Sequence, residues 1–102
     1  MEQSRPPKLS PAEAKRKIQL ILEDGTVDFS THCRRRMRER CVDDLDIVHL
    51  LKEGQIIREA EWDSDHSDWK YRVEGTDIEG DDLTTITVIF EADLSLLNVT
   101  VF

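Results

Sequence analysis

The chain has 102 residues, of which 38% are hydrophobic and 35% charged, and a formal net charge of −8 at pH 7. That length suits one domain with a modest core, and the composition is that of a globular protein in water. No apolar run is long enough to cross a bilayer and the opening MEQSRPPKLSPAEAKRK lacks a signal-peptide h-region, so we expect a cytoplasmic protein with no membrane partner.

Met1 to Leu9 contains Arg5-Pro6-Pro7-Lys8 and reads as a flexible, extended lead-in. Ser10-Pro11-Ala12-Glu13 is a capping box with proline at the first helical position. Ala14, Ile18, Ile21 and Leu22 then recur at helical spacing until Gly25, with Lys15-Arg16-Lys17 on the solvated side. Thr26 to Phe29 is either a short strand or an extended link.

Ser30 or Thr31 caps the next helix, which runs through FSTHCRRRMRERCV. At 100° per residue, Cys33, Met37 and Cys41 form a stripe turned to the core. His32, Arg36 and Arg40 form a second row beside it at spacing i, i+4, i+8. Arg34, Arg35 and Arg38 point to solvent. Val42-Asp43-Asp44 ends this helix and starts another, capped by Asp43, with Ile47, Val48, Leu50 and Leu51 as its buried face, His49 at its surface or core edge, and Gly54 as its stop.

From Gln55 the period becomes alternating. Ile56 to Trp62 is the first strand expected, and Asp63 to Asp68 a polar loop. In Trp69-Lys70-Tyr71-Arg72-Val73, the residues Trp69, Tyr71 and Val73 share one face, and Lys70 and Arg72 the other. Glu79-Gly80-Asp81-Asp82 reads as a turn, Leu83 to Phe90 as a doubly covered strand, and Leu96 to Phe102 as the last strand. We therefore expect an α+β fold in one domain spanning residues 1–102, with N-terminal helices packed on a four-stranded antiparallel meander.

Charge is unevenly spread. Residues 30–42 carry five Arg and one Glu, whereas residues 43–102 carry 16 acidic and four basic groups. Most of such a surface repels nucleic acid, so any RNA contact must be confined to the arginine segment and the basic residues folded beside it. The bland alternative is that these arginines only neutralise an acidic sheet. Two cysteines, Cys33 and Cys41, stand eight apart on one expected helix, too far for a disulfide while it is intact, which suits a reducing compartment. No C-x-x-C, H-x-x-x-H, calcium-loop or Gly-rich phosphate pattern is present, so neither a metal nor another cofactor is expected. Cys33 near a helix start and beside arginines is a candidate thiol, although a buried structural role is the commoner one.

The remaining constellation is His32, Arg36 and Arg40 on the helix with Lys70, Tyr71 and Arg72 on the strand, and Arg35 as an outer substrate contact. Tyr71 points opposite to Lys70 and Arg72, so all cannot converge without a bulge. Such a groove suits cleavage of RNA without a metal, in which a 2′-hydroxyl attacks the adjacent phosphorus. A histidine there would move the proton, and arginines would clamp the phosphate with fork geometry. A carboxylate-rich protein segment would fit the same groove in a non-enzymatic interaction module, and a domain that keeps the fold without activity is the remaining alternative.

The string His32-Cys33-Arg34-Arg35-Arg36-Met37-Arg38-Glu39-Arg40 resembles the H-A-x-x-R-M-x-x-R motif of a small prokaryotic domain family of unknown function. The Leu50-Leu51-Lys52-Glu53-Gly54-Gln55-Ile56-Ile57 join, Tyr71-Arg72-Val73-Glu74-Gly75-Thr76-Asp77 with Gly80, and the closing Val99-Thr100-Val101-Phe102 are similar as well, so the resemblance runs from about Phe29 onward. It implies a RelE-like fold, akin to toxins of the RelE, BrnT and MqsR type, which cleave RNA and are neutralised by an antitoxin protein. It carries the roles onto His32, Arg36 and Arg40, with Tyr71 and Arg72. Cys41 stands where that family commonly has glycine.

Overall fold

The computed structural model describes residues 5–102, so the first four residues of the expected flexible lead-in lie outside the described residues. Pro6 and Leu9 of that lead-in are hydrogen-bonded to Trp69 and Tyr71. Its elements are α1 (Pro11–Asp24), β1 (Thr26–Phe29), α2 (Thr31–Arg40), α3 (Asp44–Glu53), β2 (Glu61–Asp63), β3 (Asp68–Thr76), β4 (Asp82–Phe90) and β5 (Ser95–Val101). Local chemistry sets the helix starts. Ser10 and Asp43 form reciprocal capping boxes with Glu13 and Asp46, and Ser30 accepts from the Cys33 N–H. The α1 helix stops at Gly25 and α3 at Gly54.

The sheet has five strands in the order β1-β5-β4-β3-β2, and it is mixed. This corrects the four-stranded antiparallel meander. Thr26–Phe29 is a true strand, and it runs parallel to β5, which the chain reaches only after α2, α3 and three further strands. A second correction concerns Ile56 to Trp62, where only Glu61–Asp63 is strand and Gln55 makes an isolated bridge to Glu74. The intervening Ile56 and Ala60 are buried while Ile57 is exposed, so the apolar spacing there serves a loop.

Strand partners share a face, so the register sorts the sheet. Tyr71, Val73, Leu83, Ile89, Leu96 and Val101 line the face on which Ile18, Ile21, Ile47, Leu50 and Leu51 of α1 and α3 are packed. Lys70, Arg72, Ile86, Val88 and Leu97 line the other face, away from that core. The pairing slips between Ile86 and Thr87, which partner Thr100 and Asn98, so Val99 is an extra residue on β5. That bulge lets Asn98 and Val101, an odd number apart, both face the helices. Buried Asn98 accepts from Thr85 Oγ1 at 2.8 Å and donates to the Asp28 carbonyl at 3.1 Å, which ties β1 to the sheet.

Two expected core positions lie outside it. Val48 is on the exposed side of α3. Cys41 is exposed because α2 ends at Arg40 and the cysteine becomes its cap, with φ 55° and ψ 43° in the left-handed region. Glycine takes that conformation without a Cβ penalty, whereas cysteine is strained there. Among the described residues, no helix is long and apolar enough to cross a membrane.

Candidate functional site

Beyond Phe29, β1 no longer covers the edge of β5, and α2 lies along the rest of that edge. Cys33 and Met37 anchor the helix in the core. Polar side chains do the remainder. Ser30 Oγ donates to the Val99 carbonyl at 2.8 Å, Arg36 Nε to Val101 at 3.4 Å, and Arg40 Nη2 to Asp82 at 3.2 Å. Three main-chain carbonyls at this margin of the sheet thus receive donors from α2 or its cap, and two of the donors are the arginines of the expected row.

On the opposite flank, Arg34 pairs with Asp44 at the start of α3 and lies over the Phe29 ring, 4.1 Å from its centroid. It is a brace between helices. His32 is exposed at the start of α2, its Nδ1 3.4 Å from Arg35 Nη2. Arg36 Nη1 also reaches Glu39 at 3.3 Å, an exposed pair of small energetic weight.

Arg72 approaches from the sheet face that carries no helix. Its guanidinium lies 4.8 Å from the centroid of the Phe102 ring, and its Nε is 3.6 Å from a Glu74 carboxylate oxygen. That Nε is buried without a hydrogen-bond partner. Arg36 and Arg72, far apart in sequence, therefore converge on consecutive residues, Val101 and Phe102. Lys70 shares the face of Arg72 but lies opposite Glu61 and Val88, further along β3.

Tyr71 is not part of this gathering. It is buried on the helix-covered face, where its hydroxyl accepts from the Leu9 N–H at 3.0 Å and burial raises its pKa. The thiol of Cys33 is likewise withdrawn, since burial pushes it up to about 11 and leaves it protonated near neutral pH. Among the described residues, no three His, Cys, Asp or Glu side chains are arranged to hold a metal ion.

His32, Arg35, Arg36 and Arg40 thus lie on one helix, and Arg72 meets the same margin from the sheet. Sequence reasoning missed Phe102, which supplies the ring beneath Arg72. Phe102 pairs with Thr84 of β4, which separates it from the strand carrying Arg72. The bulge at Val99 turns it to the face of Arg72, so the plain alternation of the last strand held no signal for it.

A family model for a domain of unknown function, DUF4258, matches residues 29–102. Neither the curated proteins nor the solved structures provide a match.

Proposed function

The chain belongs to the DUF4258 family, and we propose that it acts on RNA as a metal-independent endoribonuclease, a RelE-like toxin or a relative of one. The supporting observation is the convergence of Arg36 and Arg72 on Val101 and Phe102, with Arg40 one turn beyond Arg36 and His32 one turn before it. In a chain of net charge −8, α2 carries five arginines and one glutamate, and Arg36 and Arg40 of these reach this margin. Arg36, Arg40 and Arg72 each retain N–H groups beyond those already used, so a phosphodiester laid across the end of β5 meets guanidinium forks from two directions. The Phe102 ring beside them offers a base a stacking surface.

In this reading the 2′-hydroxyl of the bound nucleotide attacks its own phosphorus. His32 takes the hydroxyl proton, and the arginines stabilise the charge gathering on the phosphoryl oxygens. The P–O5′ bond breaks, the 5′-oxygen takes a proton from water, and a 2′,3′-cyclic phosphate remains. Arg35 and Lys70 contact the flanking backbone, and Tyr71 acts through the core that positions β3. An antitoxin-like partner would cover the margin.

A second reading has its own support. Glu39 and Glu74 stand beside Arg36 and Arg72 and take up part of their charge, which suits a non-enzymatic module in which an acidic protein segment displaces these weak, partly exposed partners. One experiment separates the two. Purified protein is incubated with labelled RNA in excess chelator, and product ends are mapped for the wild type, His32→Ala and Arg36→Ala. Cyclic-phosphate ends from the wild type, reduced at least about a hundredfold in His32→Ala, are expected. RNA left intact by a folded wild type, or cleavage unchanged in both variants, removes the nuclease reading.

A further inference from the structure

At the opposite edge of the sheet, the pair Trp62–Trp69 joins β2 to β3, with ring centroids 5.3 Å apart and planes at 79°. The segment just before α1 is seated on it. The Arg5 guanidinium lies 4.6 Å from the Trp62 ring centroid and 5.9 Å from that of Trp69. Lys8 Nζ is 5.6 Å from the Trp69 centroid and 3.7 Å from Glu59. Trp69 Nε1 donates to the Pro6 carbonyl at 2.6 Å, and the Leu9 N–H donates to Tyr71 Oη. A cavity of about 290 Å³ continues beside the segment, lined by Pro7, Leu9, Asp68, Trp69, Tyr71 and Glu91.

These contacts have the form of polyproline recognition. Two prolines fix an extended backbone at low entropic cost, an indole N–H reads a carbonyl that no proline can satisfy internally, and aromatic faces hold the flanking cations. Acidic Glu59, Asp68 and Glu91 around the groove favour a basic ligand. We propose that the Trp62–Trp69–Tyr71 groove is a peptide-binding site for an extended, proline-containing segment of a partner protein with basic residues on either side. Arg5-Pro6-Pro7-Lys8 is its resident occupant and competitor. The site is separate from the arginine margin, since Trp62, Trp69 and Tyr71 lie on the helix-covered face of the sheet, whereas Arg72 lies on the other face. Arg36 and Arg40 reach the far end of β5 and the start of β4.

The chain contains two tryptophans, both in this groove, so indole emission reports on it directly. The full-length double variant Arg5→Ala, Lys8→Ala weakens the resident segment without touching the core. It is titrated with a synthetic peptide corresponding to residues 4–10, and with a control peptide in which the prolines are alanine and the cations serine. The expected result is a saturable emission change in the double variant below about 1 mM peptide, the effective concentration of a short tether. The wild type should need at least tenfold more, and the control peptide should have no effect. The proposal is overturned if the double variant, still native by circular dichroism and melting temperature, gives no saturable change. It is equally overturned if the control peptide acts as well. A wild-type dimer that becomes monomeric in the double variant would also overturn it, because the segment would then be exchanged between copies.

Discussion

The two ten-residue helices α2 and α3 are fastened to the same sheet by opposite means. The α3 helix buries Ile47, Leu50 and Leu51 completely, and its capping box and first turn are acidic. The α2 helix buries only Cys33 and Met37, has a neutral cap at Ser30, and relies on Arg34, Arg36 and Arg40 for its other attachments. At roughly 1.5–3 kcal/mol for each large apolar side chain buried, α3 is held by the core itself. Polar tethers contribute nearer 1 kcal/mol apiece. A helix held in that way can present charge at a sheet margin, whereas one held by burial on this side could not spare the positions.

The largest test of this contrast is to remove one buried side chain from each helix. Leu50→Ala should cost about 2–5 kcal/mol, with the melting temperature falling by roughly 10 °C or more in a thermal scan followed by circular dichroism. Met37→Ala should lie at the low end, near 2 kcal/mol, because α2 keeps its tethers. Equal losses would break the comparison.

The acidic start of α3 gives the next effect, and it depends on pH. Asp46 accepts from the Ile78 N–H at 3.1 Å and from the Asp43 N–H at 3.2 Å, and these bonds hold its carboxyl below the usual carboxylate range. A carboxyl with a lowered folded pKa stabilises the fold above its ordinary value, near 4, and the contribution fades as pH falls through the lower, folded one. Asp46→Asn should cost about 1 kcal/mol at pH 7. Its melting temperature should then fall less than that of the wild type between pH 5 and pH 3. Parallel curves for the two proteins would remove Asp46 from the account. The α2 cap, a serine, has no matching dependence.

Much of this contrast was legible in the sequence. Caps at Ser10, Ser30 and Asp43 and stops at Gly25 and Gly54 follow from side-chain chemistry within a few residues, and so does the amphipathic α1. The placement of Lys70 and Arg72 on one strand face, with Tyr71 on the other, follows from the period of two. What was not legible is long-range. Thr26–Phe29 pairs with β5 across some 70 residues, and nothing local distinguishes a parallel edge strand from an extended link. Arg72 meeting Phe102 depends on the β4–β5 register, which the bulge at Val99 resets. The seating of Arg5 to Leu9 on tryptophans some 60 residues away was equally hidden.

Cys41→Gly sharpens the comparison from the end of α2. The left-handed cap costs cysteine roughly 1 kcal/mol that glycine does not incur, and glycine's freer unfolded chain returns part of it. A net gain of about 0.5 kcal/mol is expected, or a few degrees in melting temperature for a domain of this size. With its terminus unstrained, α2 should also lose less on Met37→Ala. A destabilised Cys41→Gly protein would mean that the exposed thiol makes contacts worth more than the backbone strain.

The smallest effect on stability decides what the arginines of α2 are for. Arg38 is exposed on the outer side of the helix, so Arg38→Ala should shift stability by no more than about 0.5 kcal/mol. Arg36→Ala removes the donor to the Val101 carbonyl and should cost about 1 kcal/mol. If the margin also grips phosphate, Arg36→Ala should weaken RNA binding and flatten its salt dependence by close to one unit of slope, because one counterion-releasing contact is gone. Arg38, turned away from the end of β5, should change the slope much less. Stability measured by melting and affinity measured across a salt series would then separate: Arg36 moves both, Arg38 neither. Were Arg36→Ala to lower stability and leave the salt series untouched, its guanidinium would be a sheet-edge tether alone, and the contrast between α2 and α3 would stand as architecture without the chemistry.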